Sequence, residues 1–251
     1  MSQLTHDTAV LERQRETPTR DLLAGFSLLL ATHQHAAAID ALRQRAYANA
    51  GYLSLPDPRT VRCETDPEGS ICLLVARQRE IAATVRVSFA PSRARAETIL
   101  EGTAKVPADY FPTVTLCRGA TDPNYRGLGL MAFLVAMGVR IAWYAKLGSA
   151  LGVQYDGTPH YRAMNAAGWD KKPIAGLQMA TVQGHAPLSL VYIGHERFDA
   201  SAAHSARVHR QLFDRFDADG LVDSSFWAIH KQRMTTHNAS ASWSQPRYSP
   251  Y

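Results

Sequence analysis

One stretch of the chain has the composition of an anion-binding loop. It runs from Thr113 to Met131 and reads TVTLCRGATDPNYRGLGLM. Glycines before a helix let backbone amides face outward at the helix N-terminus, where the partial positive charge suits a phosphate. The glycine spacing is not that of the dinucleotide-binding fingerprint, and the stretch contains no Gly-Lys-Ser/Thr. It is therefore neither an NAD-binding loop nor the P-loop of an NTPase. The alternative is a simple turn with close packing, for which glycine is equally suited.

Several arginines are placed to bind an acidic group. Arg86 and Arg118 lie on predicted strands that face the same interior, where two guanidinium groups could hold a carboxylate bidentately. Arg43 and Tyr47 are four residues apart and share one face of a predicted helix. Structural alternatives stay open. Arg118 could pair with Asp122 or a helix end, Arg86 could point to solvent, and the helical pair could be exposed.

Candidate acid–base groups follow the predicted strand Ala150–Tyr155. Asp156 and His160 stand at its carboxyl end and could act as a general base or hold a water. The alternative is structural, because Asp-Gly-Thr-Pro is also an adequate turn and cap sequence. Cys117 is expected to pack as a small buried residue, as most buried cysteines do.

The composition is that of a globular protein. The chain has 251 residues, a formal charge of +5, 46% hydrophobic and 20% charged residues. These values exclude disordered, collagen-like and coiled-coil chains, and the length favours one domain with additions. Three cysteines without ligand spacing predict a reduced, cytoplasmic protein with neither a disulfide framework nor a metal site. The charge suggests an acidic partner or substrate but does not indicate nucleic acid.

Two apolar segments raise a membrane alternative. Leu22–Ala31 could be the apolar stretch of a signal peptide, but the residues before it include several acidic ones and make a poor export leader. Gly127–Ala145 approaches the length of a membrane span, but it contains Arg140 and is flanked by predicted strands. We therefore expect a buried central helix and no transmembrane segment.

Hydrophobic periodicity predicts a mixed α/β chain. Residues 55–67 are predicted to be a loop, and residues 90–110 a polar connection. We expect a leader (1–25), an α/β domain (26–198), a C-terminal helical extension (199–235) and a tail (236–251). Strands are predicted at Phe26–Ala31, Ile71–Ala76, Ile81–Phe89, Pro112–Ala120, Ala150–Tyr155, Leu177–Val182 and Leu188–Ile193. Helices are predicted at His35–Ala50, Gly127–Ala145, from Pro159 to near Gly168, Ala202–Phe216 and Ser225–Met234.

The central loop resembles the acyl-donor loop of the GNAT superfamily of N-acyltransferases. That loop typically reads Arg/Gln-x-x-Gly-x-Gly/Ala, and Arg126 and Gly129 match its first two fixed positions. Met131 occupies the last, usually small, position. Ala167-Gly168-Trp169 is similar to the Leu-Gly-Phe that closes a later helix in many members. The resemblance implies a GNAT-like fold: a mixed, mostly antiparallel central sheet flanked by helices.

A narrower resemblance is to acyl-homoserine lactone synthases and long-chain N-acyl amino acid synthases. Leu42-Arg43-Gln44-Arg45-Ala46-Tyr47 is similar to their opening helix over the active site. Thr84-Val85-Arg86-Val87 is similar to their arginine-bearing strand, and Leu116-Cys117-Arg118 to their Ser-Arg strand. Thr115 stands where lactone synthases carry glutamate, and Cys117 replaces the serine.

These resemblances imply roles for particular residues. The residues implied to bind the acyl donor are Cys117, Arg126, Gly127, Leu128, Gly129 and Leu130. The residues implied to bind the amine acceptor are Arg43, Tyr47, Arg86 and Arg118. The catalytic candidates are Arg118, Asp156, His160 and Tyr161, with Tyr161 as a candidate acid toward the leaving thiolate. No permanently bound cofactor is implied, since the acyl thioester of coenzyme A or of acyl carrier protein phosphopantetheine arrives as substrate.

Three functions stay open. The first is transfer of a long acyl chain to an amino acid or related small amine, with acyl carrier protein as a candidate partner. The second is an acetyl-CoA-dependent acetyltransferase, and the third a non-catalytic binding module of the same fold. The C-terminal helical extension could cap the acyl site or form the face of a homodimer.

Overall fold

The computed structural model describes residues 23–51, 62, 63, 66, 69–100, 105–155, 159–181, 184–216 and 218–239. Seven strands form one sheet in the order β1-β2-β3-β4-β5-β7-β6. They are β1 (Phe26–Leu30), β2 (Ile71–Arg77), β3 (Glu80–Ala90), β4 (Thr113–Thr121), β5 (Ser149–Tyr155), β6 (Asp170–Thr181) and β7 (Gly184–Gly194). The helices in this described part are α1 (Ala36–Asn49), α2 (Arg93–Ile99), α3 (Leu130–Tyr144), α4 (Pro159–Ala166), α5 (Phe198–Val208), α6 (Arg210–Arg215) and α7 (Ala218–Ala239).

The sheet is mixed and mostly antiparallel. Every neighbouring pair of strands is antiparallel except β4 and β5, which run parallel. A parallel pair needs a crossover connection, and α3 supplies it. The predicted fold class, an α/β chain with a mostly antiparallel sheet flanked by helices, is confirmed.

Helices cover both faces of the sheet. The α3 helix packs on one face, where Val85 and Val87 of β3 point into the main core. The α1 helix covers the other face, with Ile39 and Leu42 against alternate residues of β2. Because both faces are buried, β2 and β3 read as nearly continuous apolar runs instead of alternating ones.

The apolar segment that approached a membrane span in length is the central helix of this core. Ten of the fifteen α3 residues are buried. It starts at Leu130, later than expected, because Gly127 and Gly129 have φ angles of 83° and 74° and cannot continue a right-handed helix. In the part of the chain that the structure describes, no helix combines the length and apolarity needed to span a bilayer.

Three elements differ from the sequence-based expectations. The α2 helix was expected to be irregular; it has seven residues, of which only Ala96 and Ile99 are buried, too few to show a period. The β6 strand begins at Asp170, well before the expected residue 177, because pairing with β7 outweighs the polar Lys171-Lys172. The last helix begins at Ala218 rather than Ser225, and a break at His209 divides the one before it.

Candidate functional site

Three arginines converge on one carboxylate. Asp66 Oδ1 accepts hydrogen bonds from Arg86 Nη1 and from Arg118 Nη1, both at 2.9 Å. Asp66 Oδ2 lies 3.4 Å from both terminal nitrogens of Arg43. The side chains of Arg43 and Arg86 are 0% and 2% exposed, and those of Arg118 and Asp66 are 11% and 10% exposed. We call these four residues the arginine cluster.

Each arginine comes from a different element. Arg43 lies on the inner face of α1, beside Leu42 and Ala46, so the helix that buries its apolar face buries this guanidinium too. Arg86 lies on β3, on the strand face that α1 covers, and is paired in register with Cys117 of β4. The sequence-based alternatives of an exposed Arg43 and a solvent-facing Arg86 are therefore wrong.

A β-bulge positions the third arginine. The register of β3 against β4 shifts by one residue between Thr84 and Arg86, opposite Arg118. Arg118 has φ +52°, a left-handed conformation that costs a non-glycine residue about 1 kcal/mol. Bulges re-aim side chains, and here the Arg118 guanidinium points at Asp66 and at the carbonyl oxygen of Arg62, 3.0 Å away. The alternative of an Arg118–Asp122 pair is not what the structure shows, since Asp122 binds Arg45 at 3.0 Å.

The arginine cluster brings three guanidinium groups to one carboxylate. Among the described residues the three guanidinium groups share the single Asp66 carboxylate, and Glu64 and Glu68 lie outside the described residues. Burial alone lowers the pKa of Arg43, but Asp66 and the nearby thiols of Cys72 and Cys63 outweigh it, so the pKa is raised. The guanidinium therefore stays charged, and an incoming carboxylate would find charge complementarity here.

Tyr47 lies next to the cluster on α1. Burial raises the pKa of Tyr47 to about 12, against the opposing effect of Arg43 and Arg118. The phenol is thus protonated at neutral pH and available as a hydrogen-bond donor beside the arginines.

The loop after β4 leads into the start of α3. Asp122 caps a short turn, Pro123–Tyr125, by accepting a hydrogen bond from the amide of Asn124 at 3.0 Å. Gly129 then precedes α3 without a side-chain cap, and the first turn of the helix carries no acidic residue. Arg126 and Gly127 are exposed, and Leu128 is half-buried. A helix end with these features can accept an anion, and the role of the loop in donor binding stays a prediction.

Two positions next to this loop are crowded. Met131 Sδ lies 3.0 Å from where a Cβ on Gly119 would stand, so the methionine side chain packs over β4. His209, at the start of α6, lies 3.6 Å from the corresponding position of Gly129. The C-terminal helices therefore reach the predicted donor loop, whereas the sequence had offered both a cap over the acyl site and a dimer face for them.

The sheet opens beside the cluster. Within the described strands β4 and β5, parallel pairing extends only from Thr113 to Thr115, opposite Ser149 to Leu151. Both strands continue further, β4 to Thr121 and β5 to Tyr155. Two parallel strands that separate leave backbone edges to which an extended ligand can add.

Two of the remaining catalytic candidates, His160 and Tyr161, lie on α4. His160 stands at the start of α4, where burial lowers its pKa. The ring of Tyr161 packs against Lys171, whose Nζ is 4.9 Å from the ring centroid. Asp156 lies outside the described residues. The roles of these three residues stay predictions.

Sequence reasoning missed Asp66. It lies in the proline-containing segment before β2 that was expected to be a loop, with no spacing that links it to an arginine. Only the fold brings Asp66 to Arg43 and Arg118.

Other features of the described part carry no predicted site residue. A cavity of about 530 Å³ lies between α3 and the C-terminal helices, with Trp143, Phe213 and Asp219 among its lining residues. No group of three or more His, Cys, Asp or Glu side chains within the described residues could hold a metal ion.

No protein-family model matches the sequence, and no curated protein matches it. Among solved structures, the chain is similar to an acetyltransferase of the GNAT family from Streptococcus pneumoniae, at 13% identity over 67% of this chain and 99% of that one, with a TM-score of 0.47. It is also similar to a CoA-dependent acyl-homoserine lactone synthase, at 16% identity over 72% and 90% of the chains, with a TM-score of 0.47. A third is an N-acyl amino acid synthase from uncultured soil microbes, at 11% identity over 70% and 95%, with a TM-score of 0.46. These are distant similarities of fold and assign no activity to this chain.

Proposed function

We propose that this chain is an N-acyltransferase that moves an acyl group from a thioester to the amine of an amino acid or related small molecule. The observation that carries the proposal is the arginine cluster, set beside the edge of β4 where β5 separates from it. A site for a carboxylate and a site for an extended arm then adjoin each other. Holding two reactants side by side is the main requirement of acyl transfer.

The cluster supports an acceptor that carries a carboxylate. Arg118 is the least buried of the three arginines and reaches the cluster from the bulge on β4. Arginine binds a planar carboxylate through two parallel hydrogen bonds, which fixes both its position and its orientation. An amino acid held this way would present its amine toward the gap between β4 and β5.

The separated strands and the loop support a thioester donor. An extended pantetheine arm carries amides that can pair with the free edge of β4 as an added strand would. Its phosphate would then lie near Leu128 and Leu130 at the start of α3.

The chemistry follows from this arrangement. The acceptor nitrogen attacks the thioester carbonyl carbon, and the oxyanion of the tetrahedral intermediate accepts a hydrogen bond from a backbone N–H of β4. A base takes the amine proton; His160 is a candidate because its lowered pKa keeps the imidazole neutral. The C–S bond then breaks and the leaving thiolate takes a proton, for which Tyr161 is the candidate donor.

A carrier-protein or long-chain donor is favoured over acetyl-CoA. The net charge of +5 and the exposed Arg126 at the loop suit an acidic carrier protein, because complementary charge speeds encounter and fixes orientation. Met131 stands in the last loop position, where a small residue favours tight pyrophosphate binding. A donor held mainly by its arm and its carrier protein tolerates that change.

The test is product identification by mass spectrometry. The protein is incubated separately with acetyl-CoA, palmitoyl-CoA and palmitoyl-acyl carrier protein, each with a mixture of amino acids. The expected product is a long-chain N-acyl amino acid. Acetylated product alone would make the chain an acetyltransferase, and no transfer from any donor would leave a binding module.

A matched pair of variants locates the acceptor site. Arg118→Lys keeps the charge but loses the forked geometry, so the KM for the acceptor should rise roughly tenfold while the KM for the donor stays unchanged. Arg210→Lys, at an exposed position on α6, is the control and should change neither. An unchanged acceptor KM in Arg118→Lys contradicts the assignment of the acceptor to the cluster.

A further inference from the structure

Two cysteines contact one guanidinium group. Cys63 Sγ lies 3.7 Å from Nη1 of Arg43, and Cys72 Sγ lies 3.6 Å from Nη2 of the same side chain. Both sulfurs therefore lie within 3.7 Å of one guanidinium group.

The backbone holds both cysteines in place. The amide of Cys63 donates a hydrogen bond to Asp40 Oδ1 at 2.8 Å, which fixes it against α1. Cys72 lies in β2, paired in register with Arg86 of β3. The thiol of Cys72 also lies 3.7 Å from Asp66 Oδ2. Cys72 is thus held within a strand, and Cys63 is held by a backbone hydrogen bond to α1.

The pKa values of the two thiols are shifted in opposite directions, as in a redox pair with one nucleophilic and one resolving cysteine. A hydrogen bond from Cys63, together with the charge of Arg43, lowers the pKa of Cys72. The same hydrogen bond and burial raise the pKa of Cys63. A thiolate is the reactive form of cysteine, so Cys72 is the nucleophile and Cys63 the resolving thiol. Cys72 is buried and Cys63 is half-buried.

We propose that Cys63 and Cys72 are a modification site, forming a reversible disulfide when the protein meets a peroxide. In the first step the Cys72 thiolate attacks one peroxide oxygen, the S–O bond forms, the O–O bond breaks, and the released hydroxide is protonated to water. In the second step Cys63 sulfur attacks the sulfenic sulfur, the S–S bond forms, and the S–O bond breaks with release of a second water. Two thiols are oxidised and one peroxide is reduced to two waters.

The disulfide would close segment 63–72 into a ring that contains Asp66. Oxidation would thus enclose the carboxylate that the three arginines share within a loop closed on β2. It would also remove the Cys72 thiol that contacts this carboxylate. The site lies beside the proposed acceptor pocket, but the disulfide does not depend on acyl transfer.

The sequence allows a direct measurement on wild-type protein. Trypsin cleaves after Arg62 and Arg77 and at no residue between them, so one peptide carries both cysteines. Reduced protein is treated with a small excess of hydrogen peroxide, quenched in acid, denatured, alkylated with N-ethylmaleimide and digested. The expected result is an unalkylated peptide about 2 Da lighter than the reduced form, restored by dithiothreitol.

The third cysteine supplies the control. Cys117 contacts the arginine cluster through Arg86 and burial raises the pKa of its thiol, so it should stay alkylatable throughout. Cys117→Ser should form the same lighter peptide as the wild type, whereas Cys63→Ser should not. Full alkylation of both cysteines after peroxide, a crosslink to Cys117, or overoxidised Cys72 with an alkylated Cys63 would each overturn the proposal. The readout is a peptide mass, so its failure is distinct from a failure of acyl transfer.

Discussion

At the scale of single residues, the arginine cluster centres on one shared carboxylate. Arg43 and Arg86 are almost completely buried, and both depend on Asp66. Removing one partner of a buried ion pair is far more destabilising than never having had the pair, because the remaining charge stays desolvated. Three arginines share Asp66, so loss of its charge would remove an ionic partner from all three at once.

Asp66→Asn should therefore lower the free energy of unfolding by about 3 kcal/mol. Urea denaturation followed by tryptophan fluorescence measures the change. Asp219→Asn is the control, because Asp219 pairs with Arg140 but its side chain is 74% exposed. An exposed ion pair is worth about 0.5 kcal/mol, so the control should change little. Equal effects of the two substitutions would show that the arginine cluster does not depend on Asp66.

Tyr47 gives a pH-dependent prediction. An unfolded tyrosine ionises near pH 10, whereas burial raises the pKa of Tyr47 to about 12 in the folded chain. Between these values the unfolded state releases a proton that the folded state retains, so stability is lost as the pH rises. The free energy of unfolding should fall more steeply from pH 10 to about 12 in the wild type than in Tyr47→Phe. Parallel curves for the two proteins would contradict this environment for Tyr47.

At the scale of elements, the opening between β4 and β5 depends on a close backbone approach. A Cβ on Gly152 would stand 3.0 Å from the carbonyl oxygen of Leu116, immediately beyond the last paired residues. A side chain there would push the two strands apart where they start to separate. The geometry of the predicted donor site therefore depends on a glycine in β5 that is not in the donor motif.

Gly152→Ala should destabilise the protein by about 2 kcal/mol, because a backbone atom cannot move aside without shifting the strand. Gly119→Ala is the matched control on β4. Its added Cβ would also meet an atom at 3.0 Å, but that atom is the flexible Sδ of Met131. We expect a loss below about 1 kcal/mol for the control, measured by urea denaturation. A tolerated Gly152→Ala would show that the strands have room to separate.

At the scale of the whole molecule, the C-terminal helices are part of the main core. Phe216 is 6% exposed and its ring lies 5.5 Å from that of Phe133 on α3. Phe213 packs edge-on against the same ring at 5.0 Å. Arg140 of α3 pairs with Asp219 at the start of α7. These helices therefore cover the sheet face that α3 alone would leave partly open.

Phe216→Ala should lower the free energy of unfolding by about 3–4 kcal/mol, through lost burial and the cavity left beside Phe133. Val208→Ala, at a position that is 57% exposed on α5, should change it by less than about 0.5 kcal/mol. Urea denaturation compares the two. A small loss for Phe216→Ala would indicate that the C-terminal helices fold independently of the α/β core.

The sequence by itself determined the central strands and helices. Apolar periodicity identified β1 to β5, α1 and α3, because each buries a regular face that a short window of sequence displays. Paired glycines identified the loop before α3, since only glycine adopts its positive φ angles at little cost. The sequence also marked Arg43, Arg86 and Arg118 as candidates, though each had a structural alternative.

Only the tertiary structure decided which of those alternatives holds. Asp66 is separated from Arg43 and from Arg118 by long stretches of chain, and no local pattern links them; the packing of α1 on the sheet does. The bulge that turns Arg118 inward depends on the register of β3 against β4, a property of two strands and not of either alone. The pairing of Cys63 with Cys72 around Arg43 has the same origin. Long-range packing fixes where side chains meet, and sequence spacing does not carry that information.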